Sequence, residues 1–210
     1  MNNYVDPAIY DEYYFRNWVV GAEEFKKGEL HSFFKKSIEL ADIKSEDSIL
    51  DIGFGRGEVI KYLIPYCKSI VGVDYAKAAF KIARQIISET EIKVKLICDD
   101  INNVLPSLGM FDKVFLLDIV EHMYPWQLEI MYKELIKHLN DKAIIIIHTP
   151  IADTEAEKHY IDKINPYVIK CQEKCHINLN SFEEHTKYLK DYGQLERIGK
   201  MHIKFTYNKL

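Results

Sequence analysis

The chain has 210 residues, of which 48% are hydrophobic and 29% are charged. This length suits one folding domain, and the composition is too apolar for an extended disordered chain. The formal charge of -4 gives no strong attraction to a phosphate backbone, so we expect no nucleic-acid substrate. The first residues lack the features of a signal peptide, and no run approaches the roughly 20 apolar residues of a membrane-spanning helix. We therefore expect a cytoplasmic protein without membrane contact.

The N-terminal part of the chain, residues 1–44, is expected to form a helical cap that precedes a sheet. Apolar side chains recur at helical spacing over residues 29–41, which predicts a helix there. Aromatic residues are concentrated between Tyr10 and Trp18. One interpretation of this stretch is an amphipathic helix packed on the domain.

Strands and helices alternate from residue 48 onwards, which predicts a doubly wound sheet. Five apolar segments are predicted to be its parallel strands: residues 48–52, 69–73, 93–97, 113–117 and 143–147. Helices are predicted to follow the first, second and fourth of these strands, at residues 58–64, 77–87 and 126–139. The β-branched run in the fifth strand is typical of a central parallel strand that is covered on both faces.

The C-terminal part is predicted to close the sheet with a hairpin. Ser181 is expected to cap a helix over residues 181–189. Residues 195–198 and 202–207 are then predicted strands, joined tightly at Gly199 and Lys200. We therefore expect an α/β fold, a Rossmann-like doubly wound seven-stranded sheet that is mostly parallel with a C-terminal antiparallel hairpin, in a single domain spanning residues 1–210.

Three glycines at alternate positions, Gly53, Gly55 and Gly57, follow the first strand and its acid Asp51. Glycine is needed where the backbone takes a positive φ or where a ligand lies against the chain. In a doubly wound sheet, ligands bind beyond the carboxyl ends of the strands, where this loop would lie. The sequence therefore predicts a cofactor-binding loop. A dinucleotide fingerprint, G-x-G-x-x-G, would place the third glycine one residue later, which disfavours a nicotinamide cofactor.

Over residues 45–150 the chain resembles the class I S-adenosylmethionine-dependent methyltransferases, whose first motif is an acid followed by G-x-G-x-G. The resemblance implies S-adenosyl-L-methionine as cofactor and S-adenosyl-L-homocysteine as product. It implies that Asp74 and the adjacent Tyr75 bind the cofactor, because the two carboxylate oxygens of Asp74 can accept bonds from both ribose hydroxyls. Asp100 and Ile101 resemble the adenine-binding segment, and Asp100 fits better than Asp99 because it precedes an apolar residue.

The fourth strand and the turn after it resemble the motif that passes beneath the methionine part of the cofactor. By this resemblance Leu117 and Asp118 contact the cofactor, and Glu121 and His122 face the methyl acceptor. The Glu-His pair is similar to the small-molecule branch that includes quinone-biosynthesis, natural-product and sugar methyltransferases. In some quinone enzymes two acids and a histidine surround a divalent cation, and Asp118, Glu121 and His122 offer the same donor types. We expect no metal, since Asp is shorter than Glu and hard cations favour oxygen ligands, but this alternative stays open.

A neutral histidine is suited to removing a proton from an acceptor oxygen or nitrogen. Four histidines fall near the expected mouth of the site: His122, His148, His176 and His202. We favour His122 as the base and His148 next, with Glu121 as a further catalytic candidate. For any one of these histidines, a structural or solvated role is the alternative.

Two further segments are expected to adjoin the site. Tyrosine-rich leaders in this family fold over the cofactor, so Tyr14 is a candidate cofactor contact. Residues 151–180 lie where family members insert acceptor-recognition elements. Cys171, Cys175 and His176 fall in that stretch, but without a second Cys/His pair nearby they favour free thiols over a zinc site.

The expected function is methyl transfer from S-adenosyl-L-methionine to a small-molecule acceptor, at oxygen or nitrogen. Two alternatives remain from the sequence: a cofactor-binding regulatory protein of the same fold without turnover, and a nicotinamide oxidoreductase. The sequence indicates neither the acceptor nor the oligomeric state.

Overall fold

The computed structural model describes residues 5–88, 93–155, 157 and 177–208. Within these residues, seven strands form one sheet: β1 (Ser48–Ile52), β2 (Ser69–Asp74), β3 (Val94–Cys98), β4 (Phe111–Leu117), β5 (Leu139–His148), β6 (Gly193–Ile198) and β7 (His202–Tyr207). Their order in the sheet is β3-β2-β1-β4-β5-β7-β6. Strands β1 to β5 pair in parallel, whereas β7 is antiparallel to both β5 and β6. The predicted fold class is confirmed.

Helices cover both faces of the sheet in the described ranges: α1 (Glu12–Asn17), α2 (Ala22–Lys26), α3 (Ser32–Ala41), α4 (Glu58–Leu63), α5 (Lys77–Ile86), α6 (Ile101–Val104), α7 (Pro125–Leu135) and α8 (Phe182–Thr186). Neighbouring strand residues face opposite sides. In β5, Ile145 and Ile147 pack in one core with α7, while Ile146 packs in the other with α3, α4 and α5. This explains the β-branched run, because a strand buried on both faces needs apolar side chains at every position.

The ends of two predicted helices were wrong by a few residues. The helix predicted over residues 29–41 begins at Ser32, because the imidazole of His31 accepts a hydrogen bond from the backbone N–H of Phe33 (3.4 Å) and caps the helix there. The helix predicted to run to residue 189 ends at Thr186. Its predicted cap is confirmed, since the Ser181 hydroxyl accepts from the Glu184 N–H at 3.2 Å.

The boundary between α7 and β5 was also predicted wrongly. Helix α7 ends at Leu135, not at residue 139, and β5 begins at Leu139, four residues before the predicted start. The pairing of β4 with β5 shifts register between Phe111 and Lys113, and Lys142 has a φ of 60°. The first part of β5 therefore contains a bulge and polar residues. Its sequence lacks the apolar pattern from which the strands were predicted.

Gly57 positions α4 against α5. It precedes α4 with a φ of 80°, and a Cβ atom built on it would lie 2.9 Å from Cβ of Ala83 in α5. Two conditions therefore require glycine here: a left-handed backbone and a close approach of two helices.

We expect Gly57→Ala to lower the free energy of unfolding in urea by more than the roughly 1–2 kcal/mol that a left-handed backbone costs an L-residue. Gly28→Ala is the control for the backbone effect alone, since Gly28 has a φ of 74° and open space around its Cβ position. Gly109→Ala has neither constraint and should leave stability almost unchanged. Equal losses for Gly57→Ala and Gly28→Ala would show that the contact with α5 contributes nothing.

Candidate active site

A cavity of about 480 Å³ opens at the carboxyl ends of β1, β2 and β4. This is the edge where open α/β sheets bind ligands, and the volume is that of a small-molecule site. Its wall includes these residues singled out from the sequence: Tyr14, Asp51, Gly53, Gly55, Asp74, Tyr75, Asp100, Ile101, Leu117, Asp118, Glu121, His122 and His148. Of the remaining described candidates, Gly57 and His202 do not line it. His176 lies outside the described residues.

The glycine loop presents bare backbone to this cavity. Gly53 has a φ of 74°, and a Cβ atom there would overlap the side chain of Ile119 in the loop after β4. Gly55 has a φ of 53°, and its Cβ position would meet nothing closer than the Phe15 ring at 3.7 Å. Gly53 thus allows two loops to pack closely, while Gly55 leaves room for a ligand beside the chain.

Asp74, at the end of β2, holds the glycine loop in place. Its carboxylate accepts hydrogen bonds from the backbone N–H groups of Gly55 (2.9 Å) and Ala76 (2.8 Å). Burial raises the pKa of Asp74 to about 6, although these two N–H donors lower it. Each oxygen of a carboxylate can accept more than one bond, so Asp74 can also accept from a ligand in the cavity.

Asp51 lies beneath the loop and is almost completely buried. Burial raises its pKa to about 8, and the nearby carboxyls of Asp74 and Glu58 add to this rise. Glu58 is paired with the guanidinium of Arg56 at 2.6 Å. The floor of the cavity therefore concentrates acidic groups, which is a frequent property of functional sites.

The segment after β3 is built around a helix cap. The Asp100 carboxylate accepts from the backbone N–H of Asn102 at 2.8 Å and caps α6, whose first residue is the buried Ile101. Burial raises the pKa of Asp100. Asp99 is exposed and instead accepts from the side-chain amide of Asn103 at 2.9 Å. Asp100 thus combines a structural cap with a position on the cavity wall.

Asp118 and His148 pair at the ends of the neighbouring strands β4 and β5. Oδ1 of Asp118 lies 2.5 Å from Nδ1 of His148, and the Asp118 N–H donates to the His148 carbonyl at 2.8 Å. Because a carboxylate can only accept, Nδ1 carries the hydrogen of this bond, and in the neutral imidazole Nε2 keeps its lone pair. The Phe33 ring stacks on this imidazole at 4.2 Å. His202 lies behind it at 4.6 Å, and burial lowers the pKa of His202 to about 4.

Glu121 and His122 diverge after β4. The Glu121 side chain turns inward and accepts from the Thr149 hydroxyl at 3.1 Å, and burial, followed by the nearby Asp118, raises its pKa well above the ordinary value. Nδ1 of His122 lies 3.0 Å from the hydroxyl of Tyr10. Tyr10 also lies against the rings of Tyr14 (5.1 Å) and Tyr75 (5.7 Å). Aromatic residues from the N-terminal part of the chain thus cover this side of the cavity.

Asp118, Glu121 and His122, the candidate ligands of a divalent cation, bond to different residues. In the described ranges, no group of three His, Cys, Asp or Glu side chains is arranged to hold a metal. The possible zinc donors Cys171, Cys175 and His176 lie outside those ranges. Of the predicted acceptor-recognition insertion, mainly the two ends are described, where Ile151 forms a parallel bridge with Asn180.

The wall residues that sequence reasoning did not single out include Tyr10, Phe33 and Arg56. Their partners lie far away in the chain, as Tyr10 pairs with His122 and Phe33 stacks on His148. Arg56 stands inside the glycine motif. A charged residue in this motif is a signal that could have been used, because the packed loop leaves its side chain little access to solvent.

Part of this chain is similar to known methyltransferases. Residues 49–142 match the family model described as a methyltransferase domain. A probable cobalt-precorrin-6B C(15)-methyltransferase (decarboxylating) from Methanocaldococcus jannaschii is 24% identical over 161 residues, with coverage of 72% of this chain and 85% of the relative. A probable ribosomal RNA small subunit methyltransferase A from Methanococcus vannielii is 36% identical over 84 residues, which span 40% of this chain and 31% of that protein.

A solved structure shares the fold. The N-methyltransferase NodS from Bradyrhizobium japonicum, in complex with S-adenosyl-L-homocysteine, has a TM-score of 0.62 at 12% identity, covering 95% of this chain and 93% of that one.

The sheet order and the glycine loop define an α/β protein with a cavity at the carboxyl edge of its sheet, the edge where such folds bind ligands. Together with these features, the match to a methyltransferase domain over residues 49–142 supports the predicted class I S-adenosylmethionine-dependent methyltransferase, with S-adenosyl-L-methionine as its cofactor. No helix in the described part of the chain is long and apolar enough to cross a membrane.

We expect the free energy of unfolding of the ligand-free protein to fall between about pH 6.5 and 8.5. The folded pKa of Asp51, about 8, lies above its ordinary value of 3.8. Its contribution to stability is therefore complete below about pH 4 and is lost as the pH rises through about 8, at up to about 1.4 kcal/mol per pH unit. His185 and His202, whose pKa values are lowered from 6.5 to about 4, act in the opposite direction, mainly between about pH 4 and 6.5.

Urea unfolding of Asp51→Asn across this pH range tests the assignment, and the variant should show a flatter slope than the wild type. Asp191→Asn, at an exposed carboxyl, is the matched control and should keep the wild-type slope. An unchanged slope in Asp51→Asn would contradict the assignment.

Proposed function

We propose that this enzyme transfers the methyl group of S-adenosyl-L-methionine to a small-molecule acceptor, at oxygen or nitrogen, within the 480 Å³ cavity. One observation carries the proposal: the bare backbone of Gly55 and the carboxylate of Asp74 share a cavity with the Asp118–His148 pair. The first two groups suit the cofactor, and the pair suits proton removal from an acceptor.

The chemistry of the wall fits the cofactor. Asp74 has acceptor capacity for ribose hydroxyls beyond its two backbone bonds, and Tyr75 follows it. We assign Asp100 and Ile101 to the adenine. We also assign Leu117 and Asp118 to the methionine part of the cofactor. Tyr14, whose ring lies close to those of Tyr10 and Phe15, would cover the cofactor from above. A sulfonium is stabilised by nearby carboxylates and aromatic faces, both of which this wall supplies.

The charges of the wall support a small acceptor over a nucleic acid. Among the described residues that line the cavity, Arg56 is the one arginine and there is no lysine. Its guanidinium is already paired with Glu58. The acids of the wall are Asp51, Glu58, Asp74, Asp99, Asp100, Asp118 and Glu121. Phosphate groups would be repelled here, so the proposed acceptor is uncharged or cationic.

When bound, the cofactor supplies a methyl group that is already activated by its positive sulfur. The protein then has to align the acceptor and exclude water, which can lower the barrier by several kcal/mol, on the order of 7 or more at best. For a hydroxyl acceptor, Nε2 of His148 would take the proton while Asp118 stabilises the imidazolium. The 2.5 Å contact with Asp118 supports His148 as the base ahead of His122, which the sequence alone favoured. Glu121 would hold Thr149 in place by accepting the hydrogen bond from its hydroxyl.

The cofactor assignment is tested by calorimetry with the purified protein. S-adenosyl-L-methionine and S-adenosyl-L-homocysteine should bind with micromolar or better affinity, and NAD should not bind. Asp74→Ala should weaken binding by about 1.5–3 kcal/mol, because two hydrogen bonds to a charged group are lost. The exposed carboxyl Asp191→Ala is the control. A folded Asp74→Ala protein with the wild-type dissociation constant would refute the ribose role, and binding of NAD alone would refute the cofactor site.

The base is tested with an acceptor found by screening metabolites for cofactor-dependent methyl incorporation. His148→Ala should lower turnover by roughly 10² or more and leave cofactor affinity within about twofold. In the wild type, kcat/KM should rise with pH as the base loses its proton, and the variant should lose this limb. His122→Ala is the comparison. If it removes the limb and His148→Ala keeps it, His122 is the base, whereas a flat wild-type profile would exclude both.

A further inference from the structure

Arg56 occupies the centre of the glycine loop, between Gly55 and Gly57, and its side chain is completely buried. Its Nε and Nη2 atoms donate to the two carboxylate oxygens of Glu58 at 2.7 and 2.6 Å. This parallel pair of bonds fixes the plane of the guanidinium. Since Glu58 is the first residue of α4, the arginine is held rigidly against the cofactor loop.

The remaining donors of Arg56 reach the N-terminal segment, residues 5–28. Nη2 donates to the Val20 carbonyl at 2.7 Å, and Nη1 donates to the Phe15 carbonyl at 3.3 Å. Phe15 lies in the last turn of α1, where carbonyls lack partners within the helix and a cation is favourable. The guanidinium also lies 4.9 Å from the centroid of the Phe25 ring. One side chain thus ties α1, α2 and the turn between them to the glycine loop.

The N-terminal segment covers one side of the cavity. Seven residues of its first two-thirds line the wall: Val5, Tyr10, Tyr14, Phe15, Trp18, Val19 and Val20. At Gly21 the segment approaches the arginine so closely that a Cβ atom would lie 3.4 Å from Nη2 and 2.9 Å from Cβ of His31. The position of the N-terminal segment therefore depends on its contacts with Arg56.

The Tyr10 hydroxyl also links this segment to the body of the domain, at 3.0 Å from Nδ1 of His122, and two further polar links lie nearer to Arg56 in the chain but are exposed. The ion pair of Glu12 with Lys81 has both side chains substantially exposed, at 40% and 66%. The bond from Arg16 to Gln85 is exposed as well. Exposed pairs of this kind contribute little, whereas removing one partner of a buried pair leaves the other charge and the carbonyls unpaired.

We propose that Arg56 is a positioning residue that fastens the N-terminal segment over the cofactor and so limits the rate at which S-adenosyl-L-homocysteine leaves. It acts through the segment, whose aromatic side chains lie between the cavity and solvent. The inference rests on the proposed role of this cavity as the cofactor site.

The test uses the full chain with a fluorescent reporter in the N-terminal segment. The protein has two tryptophans, and Trp126→Phe leaves Trp18, on the cavity wall, as the sole reporter. Dissociation of S-adenosyl-L-homocysteine is followed by stopped-flow fluorescence in this background. Arg56→Met should release the product at least about tenfold faster than the wild type. Arg56→Lys should release it at an intermediate rate, because an ammonium cannot reproduce the parallel pair of hydrogen bonds to Glu58. Arg16→Met, which removes an exposed arginine of the same segment, should stay within about twofold.

A double variant, Arg56→Met with Glu58→Gln, guards against misfolding from an unpaired buried carboxylate and should also release the product faster. Hydrogen exchange should accelerate in the amides of residues 14–22 and stay unchanged in β4 and β5. If the wild type does not bind the product, the proposed cofactor site is wrong. If the wild type binds and the folded double variant releases the product within twofold of it, Arg56 does not hold the segment. Uniformly faster exchange along the chain would likewise overturn the inference, since it would indicate general destabilisation.

Discussion

The attachment of the glycine loop to the end of β2 determines the rest of the site. The N–H of Gly53 donates to the Val73 carbonyl at 2.7 Å, and the N–H of Gly55 donates to Asp74 at 2.9 Å. These bonds continue the pairing with β2 past the end of β1. They therefore fix the direction in which the loop leaves the sheet. The same loop orients α4, supplies bare backbone at Gly55 and carries Arg56 towards the N-terminal segment. Movement of the loop would therefore disturb every wall of the cavity.

The electrostatics of the floor follow from that geometry. Asp51 and Asp74 are brought under one loop and away from water, and burial raises the pKa of both. Ionising them in the ligand-free protein costs folding free energy, because charges in a dry site are poorly solvated. A cation in the cavity would offset that cost. Such an arrangement is less stable when empty than it could be, as is common where a site is adapted to its ligand rather than to stability.

The parts of this protein that could be predicted from sequence are those whose causes lie within a few residues. The Asp51–Gly57 motif and the acids at the ends of β2, β3 and β4 are local features of an alternating α/β pattern, and the structure brings most of them to one cavity. The contacts that adapt the site are not local. His148 meets Asp118 only because β4 and β5 pair with Leu117 opposite His148, and Tyr10 reaches His122 across 112 positions of the chain. A single sequence contains the residues of such pairs but not the register that joins them.

Asp118 shows how the sheet and the proposed chemistry depend on each other. With a φ of 52° it adopts a left-handed backbone, which costs an L-residue roughly 1–2 kcal/mol and which Asp tolerates better than most residues. Two hydrogen bonds with His148 hold it there: the Asp118 N–H donates to the His148 carbonyl, and the His148 imidazole donates to the Asp118 carboxylate. The backbone bond extends the pairing of β4 with β5, so the strain is supported by the sheet rather than by a ligand. The carboxylate is consequently aimed at the imidazole before any acceptor arrives, and this is the preorganisation that a base needs.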